Sequence, residues 1–209
     1  MRKGLGASFV AVAVAVHCNP LLAQPNDPHA RAAPPTTLHG WADGAQLFAG
    51  LGDFHRKITT RSLFSQRYFD QDMRFLWAFN HDEATRSFAK AAQLDPTCSS
   101  CFWGVALTLG PNYNMPLMAE VRARAGWEAV HKAQAKARYA SPVEQALIAA
   151  IARRYTGSSP VDPSNSRPLL KNHADAMRQV ASRLSEGGRR ADPVCGRAGQ
   201  ACGFTYLTR

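Results

Sequence analysis

Residues 82–96 read Asp82-Glu83-Ala84-Thr85-Arg86-Ser87-Phe88-Ala89-Lys90-Ala91-Ala92-Gln93-Leu94-Asp95-Pro96, and this stretch decides the fold. Ala84, Phe88, Ala91 and Ala92 recur at helical spacing, with small residues that allow another helix to approach closely. Asp82 suits a helix start by capping and by charge, and the ring of Pro96 cannot continue a helix. Just upstream, residues 66–79 carry Tyr68, Phe69, Met73, Phe75, Leu76 and Trp77. They are apolar around much of the circumference, as in a helix packed on two sides. The same kind of anchor returns about one repeat unit later at Phe102, Val105, Ala106 and Leu109, and again at Ile148, Ile151, Ala152 and Tyr155. Such recurrence predicts stacked helical hairpins, each too small to bury its own apolar face.

Working outward, a helix over 99–109 is predicted to stop at Gly110-Pro111, and the loop 110–116 is longer than a minimal turn. An alanine-rich helix follows over 119–139. Ser141-Pro142-Val143-Glu144 then gives a strong start signal: a capping box with proline at the first helical position, opening a helix that runs to Tyr155. Residues 156–166, rich in Ser and Pro, read as a loop, and a sixth helix is expected from Pro168 to Leu184. No stretch offers alternating apolar residues with hairpin turns, so the chain is predicted to be all-α. Trp41, Leu47, Phe48 and Leu51 mark a short apolar piece ahead of the repeats, a capping helix or a docked loop.

The chain has 209 residues, 45% of them apolar, and a formal charge of +10 from 25 Lys and Arg against 15 Asp and Glu. That is ample for one domain with a real core. A basic chain favours anionic partners, but no aromatic–basic interleaving or reading motif accompanies the charge, which argues against nucleic-acid binding. Arg2 and Lys3 followed by an apolar run over 6–16 and a small residue at Ala23 read as an export signal. The apolar run is shorter than the about 20 residues of a spanning helix. Cleavage near Ala23 would remove Cys18 and leave a periplasmic or secreted protein with no transmembrane segment. The expected organisation is a signal peptide at 1–23, a Pro-rich linker with a capping segment at 24–58, a repeat domain at 59–184, and an irregular tail at 185–209.

These anchors resemble the tetratricopeptide repeat (TPR). Ala84, Phe88, Ala91 and Pro96 fit the second helix of that repeat, and Phe102, Val105, Ala106 and Leu109, then Ile148, Ile151, Ala152 and Tyr155, fit its first helix. The first repeat departs at Gln71 and Asp72, and the second at Gln134. More narrowly, Tyr68-Phe69-Asp70-Gln71, residues 78–84 and Gly110-Pro111-Asn112-Tyr113-Asn114 are similar to a group of exported bacterial TPR proteins with no assigned chemistry. The resemblance implies an α-solenoid of about three hairpins that binds a protein or peptide segment in the groove formed by the first helices of the repeats. Polar groove candidates are Gln71, Arg74 and Thr108, with Asn112, Tyr113 and Asn114 on the loop that follows; the bland reading of that loop is a polar turn with a docked tyrosine.

Cys98-Ser99-Ser100-Cys101 is the one chemically suggestive motif. The pair can be a structural disulfide, a redox disulfide or half of a metal site. A thiol redox or metal-binding protein is therefore the alternative to a non-catalytic scaffold. His81, Asp82 and Glu83 invite a catalytic reading but suit a helix start equally well. No catalytic, cofactor or metal residues are otherwise assigned, because no phosphate-cradling loop, nucleophile elbow or metalloprotease motif is present. Beyond residue 185 the helical period is lost among Gly187, Gly188, Arg189, Arg190, Cys195 and Cys202. A basic tail, a small disulfide loop and out-of-frame sequence are the competing readings, and the abrupt end of the pattern favours the last.

Overall fold

A capping serine at 141, a capping serine at 62 and an asparagine at 80 set the starts of three of the helices that build this molecule. In the computed structural model, which describes residues 33–112 and 117–188, every regular element is helical. The elements are α1 (Leu38–Ala42), α2 (Leu63–Trp77), α3 (His81–Leu94), α4 (Ser99–Leu109), α5 (Glu120–Lys136), α6 (Pro142–Ala152) and α7 (Pro163–Gly188), with one 3-10 turn at Ala137–Tyr139. The all-α expectation holds for the described residues. The leader 1–23, linker residues 24–32, Tyr113, Asn114 and tail residues 189–209 with Cys195 and Cys202 lie outside them, whereas residues 185–188, expected to be irregular, continue α7.

Local chemistry explains the boundaries. The capping box appears as expected, with Ser141 accepting from the Glu144 amide and Glu144 reaching back to the Ser141 amide. Asp82 does not cap α3. That role falls to Asn80, whose side chain accepts from Glu83 N, while Asp82 sits within the first turn and pairs with Arg122 at 2.8 Å. Helix α2 begins three residues ahead of its expected start because Ser62 accepts from Ser65 N. Helix α7 begins at Pro163, ahead of Pro168. Pro168, the sixth residue of α7, lies inside the helix and lacks the N–H that would bond back to the carbonyl of residue 164.

Successive helices pack on one another: α2 on α3, α3 on α4, α4 on α5, and α6 on α7, with α4 also touching α6. The short helix α1 docks on α3 and buries Trp41, flanked by the Arg86 and Arg122 guanidinium groups at 5.9 and 5.4 Å from its ring. Of the apolar piece, Trp41 thus lies in a short helix docked on α3, and Leu47, Phe48 and Leu51 lie in the loop that follows. At the centre, Phe88 is fully buried, edge-on to Phe69 at 5.6 Å and to Trp103 at 6.5 Å. Its ring lies directly on Gly104, where an added Cβ would come within 2.1 Å of the ring. The end of α4 is closed by neighbours: Tyr155 Oη donates to Ala106 O at 2.5 Å, Arg154 to Leu107 O and Arg122 to Thr108 O, both at 3.2 Å. Two cations thus meet the negative end of the helix dipole. Asp72 of α2 is wholly buried and lacks a hydrogen bond of normal geometry. Burial pushes its pKa well up, the Ser87 hydroxyl offsets part of this and Asp70 adds to it.

Helix α2 ends in a Schellman turn, with Phe79 N donating to Leu76 O and Asn80 N to Phe75 O at 2.9 Å. The left-handed position, φ 59°, is occupied by Phe79, whose ring is 62% exposed. A left-handed conformation costs a non-glycine residue about 1–2 kcal/mol. Phe79→Gly is therefore expected to raise stability by about 1 kcal/mol, read from urea midpoints at constant slope. In contrast, Gly104→Ala forces a methyl into the Phe88 ring and is expected to cost about 1–3 kcal/mol in the same measurement.

Candidate functional site

Every buried amide needs a partner, and the extended segment between Gly52 and Ser62 finds its partners in side chains rather than in a sheet. Phe54, Arg56 and Thr60 are half-buried and Ile58 is buried, whereas Asp53, His55, Lys57 and Thr59 are exposed. That alternation is the period of two of an extended strand. We refer to residues 54–61 as the strap.

The strap runs along α2 in the reverse direction. Arg74 Nη2 donates to Phe54 O at 2.6 Å. One helical turn earlier, Asp70 Oδ1 accepts from Arg56 N at 3.1 Å. One turn earlier again, Gln66 donates to Arg56 O at 2.8 Å and accepts from Ile58 N at 3.0 Å. Four helical residues advance about 6.0 Å and two extended residues about 6.6 Å. Side chains at 66, 70 and 74 therefore keep step with the backbone at 58, 56 and 54. His55 Nδ1 lies 2.8 Å from the second Asp70 oxygen.

Beyond Ile58 the strap passes to two further carboxylates. Glu144, at the start of α6, accepts from Thr59 N at 2.8 Å and from Thr59 Oγ1 at 2.6 Å. The same carboxylate accepts from Ser100 of α4 at 2.6 Å. Asp95, between α3 and α4, accepts from Thr60 Oγ1 at 2.6 Å and Arg61 N at 2.7 Å. Beneath the strap, a narrow cavity is lined by Ile58 itself with Phe69 and Met73 of α2, Trp103 of α4 and Leu147 of α6. The face shared by α2, α4 and α6 thus offers an apolar floor edged by carboxylates. Hydrogen bonds to a carboxylate contribute about 1.5–3 kcal/mol each, against a backbone ordering cost of about 1–2 kcal/mol per residue.

Burial opposes ionisation of both Glu144 and Asp95, but their hydrogen bonds outweigh it. Glu144 is lowered by Ser100, Thr59 and Ser141, and Asp95 is held at about 2 by Thr60, Thr97 and the amides of Arg61 and Thr97. Both are anions at neutral pH.

The residues expected in the groove divide. Arg74 does face the strap. Gln71 and Thr108 require correction: they are 1% and 0% exposed and cannot meet a ligand. Gln71 clamps a second backbone segment, accepting from Phe48 N at 2.8 Å and donating to Gln46 O at 2.9 Å. Thr108 bonds Thr85 at 2.8 Å and donates to Gly104 O inside the α3–α4 contact. Asn112 is half-buried at the end of the described loop. The residues that sequence reasoning missed, Gln66, Asp70, Asp95 and Glu144, had one local signal, the four-residue spacing of Gln66, Asp70 and Arg74.

Cys98 and Cys101 form a disulfide, and both are fully buried. Cys98 Sγ accepts from Cys101 N and so caps α4, while Ser65 Oγ lies 3.3 Å from Cys101 Sγ. A buried bridge shields its sulfurs from an attacking thiolate. Among the described residues no three His, Cys, Asp or Glu side chains gather in a metal-binding group. His81 is the first residue of α3; its neighbours Glu83 and Asp82 are engaged by Arg86 at 3.2 Å and Arg122 at 2.8 Å. No helix among the described residues is long and apolar enough to cross a membrane.

No family model, curated protein or solved structure matches the chain.

Because Asp95 has a folded-state pKa of about 2 against an ordinary 3.8, its contribution to stability is fully present above pH 4 and is lost as pH falls through 2. Asp95→Asn is expected to lower stability by about 1–2 kcal/mol at pH 7. Denaturation curves of variant and parent should converge near pH 2.

Proposed function

We propose that this chain is a non-catalytic, TPR-like helical array whose α2, α4 and α6 face binds a peptide or protein segment in extended conformation. The observation that carries the reading is the strap itself. This face already holds an extended backbone, through a side-chain ladder at Gln66, Asp70 and Arg74 and the carboxylates Glu144 and Asp95. Main-chain capture of this kind supplies affinity, and pockets for alternate side chains supply specificity. The packing of each helix on the next, with α2, α4 and α6 contributing to one floor, is the arrangement a stacked-hairpin array requires. Export to an oxidising compartment belongs to the same reading, and the Cys98–Cys101 bridge is what such a compartment favours. The thiol-redox alternative has no comparable support, since its sulfurs are buried.

The test is photocrosslinking. A synthetic peptide with the sequence of residues 53–62 would carry benzoylphenylalanine in place of the isoleucine, and would be irradiated with the full chain and mapped by mass spectrometry. Crosslinks are expected at Phe69, Met73, Trp103 or Leu147. Crosslinks confined to other surfaces would overturn the proposal.

A further inference from the structure

The groove that the proposed function invokes is filled by the chain's own residues 54–61, and this has two consequences for its partner. The first is chemical. The floor is apolar at Phe69, Met73, Trp103 and Leu147, while its edge carries the carboxylates of Asp70, Asp95 and Glu144. On a chain whose formal charge is +10, this is a local anionic rim. The strap answers it with His55, Arg56 and Arg61, the first of them 2.8 Å from Asp70. Its inward positions are an aromatic edge-on to Trp77 at 4.4 Å, a basic residue, a buried β-branched residue and a hydroxyl on Asp95 at 2.6 Å. The second consequence is competitive. The strap joins α2 directly at Ser62, so its effective concentration at the groove is high, and a free segment binds only in the fraction of molecules whose strap has left.

We propose that the partner of the α2, α4 and α6 groove is a basic extended segment of the pattern aromatic-x-basic-x-β-branched-x-hydroxyl, and that residues 54–61 are its built-in competitor. This rests on the groove reading above. Apart from the Thr59 hydroxyl, the strap's bonds use main-chain groups and the Thr60 hydroxyl, which any extended segment of this pattern carries, so partner and strap exchange most bonds one for one. The basic side chains and the Ile58 position add selection against acidic or proline-containing segments. Proline at the position of Ile58 or Thr59 would remove the amide that Gln66 or Glu144 accepts.

The experiment compares full-length chains that differ only in the strap. Ile58→Asp places a carboxylate beside Glu144 and Thr59→Pro removes the Glu144-bound amide; Lys57→Ala, at an exposed position, is the control. Each is titrated with the fluorescent 53–62 peptide and with a version in which its arginines and lysine are glutamates. Ile58→Asp and Thr59→Pro are expected to bind the basic peptide at least about 10-fold more tightly than the parent and Lys57→Ala, following from the fraction of open groove. The acidic version should bind none of them measurably. In the parent chain, saturating basic peptide should speed amide exchange of residues 56–61 while leaving α3 unchanged, a readout that stands even if a strap variant loses its helical circular dichroism. Equal affinities with groove crosslinks and an unmoved strap would overturn the competition while leaving the groove reading intact. Absence of groove crosslinks in every chain would remove the groove reading and this inference together. Crosslinks from the strap of one copy to the groove of another would make a second copy the occupant, and would likewise overturn the proposal.

Discussion

One carboxylate ties together three parts of the chain that are far apart in sequence. Glu144 accepts from Ser141 N at 2.8 Å to close the capping box of α6, from Ser100 Oγ of α4 at 2.6 Å, and from the amide and hydroxyl of Thr59 in the strap. A buried carboxylate with so many donors stays ionised, because each bond favours the charged form over the cost of desolvation. Removing it would leave the Thr59 amide and the Ser100 hydroxyl without their acceptor and loosen the start of α6 at once. The relative placing of α4, α6 and the strap depends on this group more than on any single apolar contact.

The apolar contacts have a different role, which is to set distance. Gly104 lets α3 and α4 meet with the Phe88 ring between them, and Trp41 is pressed onto α3 by α1. Such packing fixes how closely helices approach but leaves the groove side of α2, α4 and α6 to be finished by polar groups. Those groups are aligned because α2 is regular: side chains four residues apart recur on one line, and an extended chain laid against that line meets a new one every two residues.

This division explains what could be read from the sequence. Helix starts and stops were legible where the signal is local, as with Ser141-Pro142-Val143-Glu144 or Asp95-Pro96, because the capping group and the amide it serves lie within one turn. The core was legible through Ala84, Phe88, Ala91, Phe102 and Ile148, whose spacing reports which face is buried. The groove was not. Gln71 was expected to meet a ligand and Asp70, its neighbour, was not singled out. One residue is about 100° around a helix, so that shift is the difference between core and groove. Asp72, one further step around, is in the core entirely. Glu144 was recognised for its partner three residues away and not for Thr59, 85 residues away, because no local pattern encodes a contact over that distance. The strap itself alternates in burial, but a single strand with no hairpin partner resembles a linker in sequence.

Under the proposed peptide-binding reading, the same logic bears on why a helical protein would keep its own segment in a binding face. An open groove would take from Asp70, Asp95 and Glu144 the donors that the strap supplies, and would expose Phe69, Met73, Trp103 and Leu147 to water. Both are unfavourable, the first through lost hydrogen bonds and the second by the hydrophobic effect. Occupation by a covalently attached strap relieves both without a partner. It also sets a threshold, since a second segment gains only the difference between its own contacts and those it replaces. Basic side chains matter most to that difference, because every backbone amide is equivalent to the one it displaces and only side chains distinguish one extended segment from another. Selectivity in such a face follows from competition between two similar ligands, one of which is part of the protein.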